Sequence, residues 1–378
     1  MAICPNYKKC SGCQLQNMEY SDQLSFKQAK VVKLLGRFCR IDEIIGMENP
    51  LNYRNKVQMA FSHRGNSIFS GVYQSARRAV VPVDKCFLDC PEADEIIVTV
   101  GKLCKEFKIT AYDIRTEKGY LHHVLVRKAF FGKGLMVVLV TSKGDFKSKA
   151  AFVNALLRAH PQITTVVHNI NDTDKGLMLG EKSEILFGDG YITEHICGFD
   201  FRISPKSFFQ VNSVQTEVLY NKALEFAALT GKERVIDAYC GTGTIGIIMS
   251  KNAKEVLGAE INAAAVKDAK INAEINGVDN VRFFAADAGR FMQSLAEENE
   301  KIDLVITDPP RAGCSKQFLH SLITLSPKKV VYISCNPETL ARDLYTLRNA
   351  NYKVKKIQPV DLFPYTSHVE CIALLEKQ

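Results

Sequence analysis

Apolar positions along the chain follow two rhythms. From Arg234 onward, short apolar runs alternate with stretches of helical period. VIDAY precedes a glycine loop and TIGIIMSKN, VLGAEI precedes AAAVKDAKINAEIN, and VRFFAAD precedes a helix around MQSLAEE. DLVITD then runs into PPRAG, and VVYIS into CNPETLARDL. Runs of that length predict buried parallel strands, and the stretches between them predict crossover helices. This part is expected to be α/β, a doubly wound parallel sheet with its site along the strand carboxyl ends. Upstream the rhythm is mixed. SDQLSFKQAKVVKLLGRF predicts an amphipathic helix, and YRNKVQMAFS, SIFSGVYQ, LHHVLVRKAF and GLMVVLVTS predict strands. ADEIIVTVGKLCKEFKI and KSKAAFVNALLRAH predict helices, TTVVHNIND a strand, and SPKSFFQVNSVQTEVLYNKALEFAALTG helices leading into the last domain. The expected division is a cysteine-bearing loop and helix over 1–40, an α+β domain over 41–204, and the α/β domain over 205–378.

Composition changes this picture in two places. The chain has 378 residues, 46% of them hydrophobic, enough for more than one core. No apolar run approaches the ~20 residues that span a bilayer, and MAICPNYKKC lacks a signal-peptide stretch, so a cytoplasmic protein is expected. The net charge of +8 is uneven. Residues 1–150 carry 24 Lys and Arg against 14 Asp and Glu, whereas residues 151–378 carry 25 against 27. The surplus in the first part points to a polyanionic partner met by that part. Twelve cysteines in a reducing compartment do not suggest a disulfide framework. Cys39, Cys104, Cys197 and Cys371 stand in apolar contexts and read as core residues.

The loop YCGTGTIG contains G-x-G-x-x-G in Gly241, Gly243 and Gly246. Alone, this pattern suits a dinucleotide. Asp237, on the strand just before it, would repel a pyrophosphate and welcome a cation. S-adenosylmethionine carries an ammonium and a sulfonium and no phosphate. Glu260, closing the next strand, can accept both ribose hydroxyls, and Asp287, after the third, lies where an adenine edge belongs. S-adenosylmethionine is therefore the expected cofactor, with NAD as the alternative.

Asp308-Pro309-Pro310-Arg311 closes the fourth strand, where a methyltransferase frames the gap between cofactor and target base. D-P-P also suits methylation of exocyclic amines, which needs no cysteine. Cys335 argues for the other chemistry. Carbon 5 of uracil is too weak a nucleophile to take a methyl group directly. A thiolate added at carbon 6 turns the ring into an enolate and loads electron density onto carbon 5. A base must then remove the carbon-5 proton, and DLFPYTSHVECIALL offers His368 and Glu370. Cys314, on the loop after Asp308, is the rival nucleophile.

SPKSFFQVN, DAYCGTGTIG, DPPRAGC, YISCNPETLARD and FPYTSHVE together resemble the RNA uracil-5-methyltransferase family over nearly the whole chain. The resemblance implies a Rossmann-like class I methyltransferase domain preceded by an α+β RNA-binding domain. It implies Cys335 as nucleophile and Glu370 as the base. It also implies cofactor contacts from Gln210, Tyr239, Thr244, Glu260, Asp287 and Asp308.

Cys4, Cys10 and Cys13 form C-x5-C-x2-C, a spacing that suits zinc or an iron–sulfur cluster and leaves a fourth ligand to Cys86 or Cys90. The resemblance implies a [4Fe-4S] cluster held by Cys4, Cys10, Cys13 and Cys86, the last in V-D-K-C. Many members that modify ribosomal RNA begin this way and hold such a cluster, and the family's tRNA-specific bacterial branch lacks it, so the resemblance implies ribosomal RNA. The short start, with no room for a β-barrel before the cysteines, resembles the short form acting on 23S rRNA as a monomer. One specific uridine of 23S rRNA is the expected target, with another rRNA uridine or tRNA as alternatives. RNA contact is then expected from Arg54, Lys56, Arg77, Arg78, Arg127 and Lys128, with Tyr53, Tyr73 and Phe130 stacking. An RNA-binding protein with an inactive transferase domain, and an NAD-linked redox enzyme, are the readings from other classes.

Overall fold

The computed structural model describes residues 4–65, 67–74, 79–146, 148–172 and 178–378. The chain forms α1 (Tyr7–Cys10), α2 (Tyr20–Leu35), β1 (Lys56–Arg64), β2 (Ser67–Gln74), β3 (Ala79–Pro82) and α3 (Pro91–Glu106). There follow β4 (Leu121–Lys128), β5 (Leu135–Thr141), α4 (Lys149–Ala159), β6 (Thr165–Ile170), β7 (Lys182–Phe187), β8 (Ile192–Ile196) and β9 (Phe199–Ile203). The rest comprises α5 (Ser213–Ala227), β10 (Arg234–Ala238), α6 (Thr244–Ser250), β11 (Glu255–Glu260), α7 (Ala263–Ile275), β12 (Val281–Ala285) and α8 (Ala288–Glu297). It ends with β13 (Leu304–Thr307), α9 (Lys316–Leu325), β14 (Lys329–Ser334), α10 (Pro337–Asn349), β15 (Tyr352–Val360) and β16 (Glu370–Lys377).

These elements fall into two compact units. The first comprises Met1–Gln16, Asn49–His195 and Arg202–Lys206. Its sheet has the order β3-β2-β1-β4-β5-β6-β7. All neighbours run antiparallel except β5 and β6, which are parallel and joined through α4. Alternation on β1 sends Val57, Met59 and Phe61 to the same core as Val124 and Val126 of β4, against Ile96, Ile97 and Val100 of α3. Each such side chain contributes ~1.5–3 kcal/mol by burial.

The second unit comprises Asn17–Glu48, Ile196–Phe201 and Ser207–Gln378. Its sheet order is β12-β11-β10-β13-β14-β16-β15. β10 to β14 are parallel, as their βαβ rhythm predicts, but β16 runs antiparallel to β14 and β15 antiparallel to β16. The sheet is therefore mixed rather than wholly parallel, because a hairpin-like return through residues 361–369 replaces the last crossover helix. Residues 204–231 hold one helix, α5, rather than several. The units also cut the chain differently from the sequence division. Val31 and Leu35 of α2 belong to the core of the second unit, and Lys27 pairs there with Asp361 at 2.6 Å, both side chains fully buried.

Candidate active site

Strand order reverses at β10, whose neighbours are β11 on one side and β13 on the other. Such a reversal opens a crevice at the strand carboxyl ends. The glycine loop leaves β10 there. Tyr239 has φ 64, an unusual conformation for a bulky residue, and Gly241 and Gly243 have φ 54 and 81. A Cβ on Gly243 would stand 2.6 Å from the Phe283 ring, so that position requires glycine on two counts. Gly246 donates its N–H to Asp237 Oδ2 at 2.7 Å, fixing the first turn of α6. Asp237 Oδ1 is buried with no hydrogen-bond partner among the described residues. Burial pushes its carboxyl up to about 8, with the charges of Asp308 and Glu260 adding to the effect. A cation brought to this crevice would relieve that arrangement, which fits the charge of S-adenosylmethionine.

Glu260 ends β11. Its carboxylate accepts from Gly241 N at 3.2 Å and from Asn262 N at 2.8 Å. Asp287 lies two residues beyond β12 and caps α8, accepting from Arg290 N at 3.0 Å. Thr244 opens α6 and is buried, with its hydroxyl 3.4 Å from that of Thr242. Tyr239 packs on Phe318 with ring centroids 5.1 Å apart, and burial pushes its hydroxyl up. Gln210 is buried just before α5. Asn212 caps α5 and donates to Leu362 O at 3.0 Å, tying SPKSFFQVN to the segment that leads into β16.

Cys335 follows β14 directly, and Glu370 begins β16. The last pair of their antiparallel ladder is Ser334–Cys371, so Cys335 and Glu370 are the next residues across it. The motif has a local cause. Asn336 caps α10, accepting from Glu338 N at 3.1 Å, and Pro337 occupies the first helical turn. Strand end, cap and proline hold Cys335 at the carboxyl end of β14, half-buried. Burial pushes its thiol up to about 11. The negative charges of Glu370 and Asp308 add to this, and the Arg311 guanidinium opposes it. Glu370 is 2% exposed, and burial raises its carboxyl well above the usual range, again with Asp308 adding and Arg311 opposing. Asp308 is half-buried and pushed up to about 7 by loss of water.

Arg311 was not singled out from the sequence, yet it is the cation that acts on both groups. Its carbonyl accepts from Asn336 Nδ2 at 3.2 Å and Thr339 Oγ1 at 3.3 Å, which joins D-P-P-R to C-N-P-E-T. Its guanidinium lies 3.2 Å from His368 Nδ1. Tyr220 of α5 is also buried within reach of Asp308, Asp237 and Glu370, whose charges raise its hydroxyl further after burial. Helical periodicity marks Tyr220 only as a core position. Cys314 is 3% exposed, receives the Asp343 carboxylate at its backbone N–H at 2.8 Å, and belongs to the core.

In the first unit, Cys4, Cys10, Cys13 and Cys86 are half-buried free thiols. Burial pushes Cys13 up to about 11, opposed by Arg54 and reinforced by Cys10, Cys4 and Asp89. Cys86 is pushed up to about 12 by burial and then by Asp89, with Arg54 opposing. The backbone N–H of Cys86 is held by Asp94 at 2.8 Å. Cys90 instead is 1% exposed and packs in the core. Among the described residues, no three His, Cys, Asp or Glu side chains are arranged to hold a metal ion. Two expected RNA contacts fail on burial: Tyr53 is 1% exposed and Arg127 3%. Lys128 pairs with Glu92 at 2.6 Å, while Arg54 and Lys56 are half-buried and Tyr73 is exposed. Arg77 and Arg78 lie outside the described residues. No helix among those residues is long and apolar enough to cross a membrane.

The family described as tRNA (uracil-5-)-methyltransferase matches residues 19–378. An uncharacterised RNA methyltransferase of Clostridium acetobutylicum is 44% identical over 99% of this chain and 83% of its own length. One of Oceanobacillus iheyensis is 42% identical over 97% of this chain and 81% of its own. The Pyrococcus abyssi tRNA (uracil-54, C5)-methyltransferase, solved in complex with S-adenosyl-L-homocysteine, has a TM-score of 0.82 and 30% identity, over 97% of this chain and 86% of that one. Similarity of sequence and of fold thus extends across both units, and the chain belongs to the tRNA (uracil-5-)-methyltransferase family and is an S-adenosylmethionine-dependent RNA methyltransferase.

Proposed function

We propose that the protein methylates carbon 5 of one specific uridine in 23S rRNA through a covalent adduct between Cys335 and carbon 6 of the ring. The observation that carries this reading is the placement of Cys335 and Glu370 side by side at the end of the β14–β16 ladder, next to Asp308 and Arg311. Gln210, Tyr239, Thr244, Glu260, Asp287 and Asp308 hold the cofactor along the carboxyl ends of β10 to β13. S-adenosylmethionine supplies an electrophilic methyl group on a sulfonium.

The Cys335 thiolate adds to carbon 6, and the electron pair displaced onto carbon 5 takes the methyl group. Glu370 then removes the carbon-5 proton. That C–H pair re-forms the carbon 5–carbon 6 double bond and expels the thiolate, restoring the enzyme. Burial favours the neutral forms of both Cys335 and Glu370, and Arg311 favours the charged ones. A carboxylate with a raised pKa is also a stronger base once deprotonated. The adduct is the test: Glu370→Gln, given RNA and S-adenosylmethionine, should accumulate a protein–RNA complex that survives denaturing electrophoresis. Cys335→Ala should form neither adduct nor product while still binding S-adenosylhomocysteine. Methylation by Cys335→Ala would end the covalent reading in favour of amine methylation at Asp308-Pro309-Pro310.

Cys4, Cys10, Cys13 and Cys86 hold a [4Fe-4S] cluster in the proposed enzyme. Their support is chemical. Four half-buried thiols act on one another or share Arg54 and Asp89 as neighbours, and burial keeps Cys13 and Cys86 protonated unless a cation draws off the protons. No catalytic step passes through the cluster. These cysteines also favour ribosomal RNA, met in the cytoplasm by a monomer. A tRNA target is the second reading, favoured by the tRNA substrate in the name of the Pyrococcus neighbour. Mapping 5-methyluridine in rRNA and tRNA of a deletion strain decides between them.

A further inference from the structure

The active site does not use a cleft of about 540 Å³ in the first unit. That volume lies within the ~300–1,000 Å³ of small-ligand sites. The cleft opens between β1–β4 and the turn around Asp113 and Lys118. Ser62 pairs with Phe69, Ala60 with His123, and Tyr73 with Val80, so register brings these side chains to one sheet face. Phe69 and Tyr73 are four residues apart on β2, which sets two aromatic platforms ~13 Å apart along the strand. Opposite them, the Tyr112 and His122 rings stack at 3.8 Å with their planes 14° apart. Burial pushes His122 and His123 down to about 4, so these two imidazoles are uncharged at neutral pH. His123 Nδ1 is buried with no hydrogen-bond partner among the described residues. The rim carries both signs: Arg115 pairs with Asp113 at 3.0 Å and Glu117 lies beside them, while the exposed Arg64 guanidinium stands 5.7 Å from the Phe69 ring centre.

We propose that this cleft holds an unpaired base of the RNA substrate, one other than the methylated uridine. An aromatic interior with an unpartnered imidazole nitrogen, and Arg64 beside the Phe69 ring, matches a nucleotide with its base inside and its phosphate at Arg64. A purely apolar ligand would leave His123 Nδ1 without a partner. The surplus of positive charge in residues 1–150 brings RNA to this unit. The proposal rests on the RNA-methyltransferase reading and adds a second point of recognition to it.

Loss of a base–aromatic stack weakens RNA binding by ~5- to 150-fold. Tyr73 is 36% exposed, so Tyr73→Ala leaves the core intact. With total RNA from a deletion strain as substrate, Tyr73→Ala should raise KM within that range. The rate at saturating RNA and the S-adenosylhomocysteine affinity should stay unchanged. Tyr73→Phe should restore KM, because only the ring face is needed. Arg64→Ala should lessen the salt dependence of binding, and Tyr73→Ala should not. Ultraviolet crosslinking of wild-type protein to oligouridylate should place a nucleotide on a peptide containing Phe69 or Tyr73. Unchanged KM in both Tyr73→Ala and Phe69→Ala, with no crosslink on β2, overturns the proposal. Absence of 5-methyluridine in the wild-type reaction would count against the proposed activity instead, and the crosslink would still judge the cleft.

Discussion

The buried pair of Lys27 and Asp361 makes a quantitative demand on this fold. Lys27 Nζ lies 2.6 Å from Asp361 Oδ1 and 3.0 Å from Phe363 O. Tyr20 donates to Asp361 Oδ2 at 3.1 Å, and Phe363 N donates to Oδ1 at 3.2 Å. Burial lowers the Lys27 amine and raises the Asp361 carboxyl, so each charge persists there only because of the other. Lys27→Met keeps the aliphatic bulk and removes one partner. Breaking a buried pair in this way costs ~3–5 kcal/mol, a fifth or more of the ~5–15 kcal/mol that stabilises a typical domain. At ~2–4 °C per kcal/mol for a unit of this size, the unfolding midpoint should fall by ~6–20 °C. The chain contains no tryptophan, so unfolding is best followed by far-UV circular dichroism in urea and by calorimetry. The pair also anchors the segment that delivers Glu370: Gln23 accepts from Tyr365 N at 2.8 Å beside it. Below the new midpoint, turnover should therefore fall while S-adenosylhomocysteine affinity holds. Lys27→Met with Asp361→Leu should recover most of the stability, since no lone charge remains. A loss below ~1 kcal/mol in the single variant would show that the pair is not desolvated as its geometry demands.

The proposed mechanism uses Cys335 and Glu370 in their deprotonated forms, and both groups are raised, so kcat/KM should climb with pH towards the Cys335 value of about 11, as a pH–rate profile will show; a plateau from pH 5 upward would refute this. Asp237 has a folded pKa of about 8 against a reference of 3.8, so its stabilising contribution is complete below about 4 and disappears as pH rises through 8. The melting temperature of the cofactor-free enzyme should fall from pH 6 to 9 accordingly. Cys314→Ala removes a core thiol that touches no reacting group, and methylation assays should find its activity retained. Anaerobically purified protein should contain about four irons per chain, lost in Cys86→Ser and kept in Cys90→Ser; stoichiometric zinc without iron would refute the cluster.

Periodicity alone specified the βαβ half of the chain, because strands buried on both faces leave uninterrupted apolar runs such as VVYIS and VLGAEI. The motifs at the ends of those strands were equally legible. An S-C-N-P order already encodes a strand end, a helix cap and a helix start, whatever surrounds it. Two of the strands left unread, β15 and β7, lie at sheet edges. β15 reads YKVKKIQPV and β7 reads KSEILF, where charged residues that protect an exposed edge obscure the alternation. Tertiary structure alone decided that β16 turns antiparallel beside β14, which brings Glu370 next to Cys335 across 35 residues of chain. It also decided that α2 joins the second unit through Lys27 and Asp361, 334 residues apart. Burial settled Cys314, Arg127 and Tyr53 as interior residues, and proximity gave Arg311 and Tyr220 their place in the site. A sequence displays the local period and cap of each element. Which charges share a low-dielectric pocket depends on contacts between distant segments, and no local pattern records those.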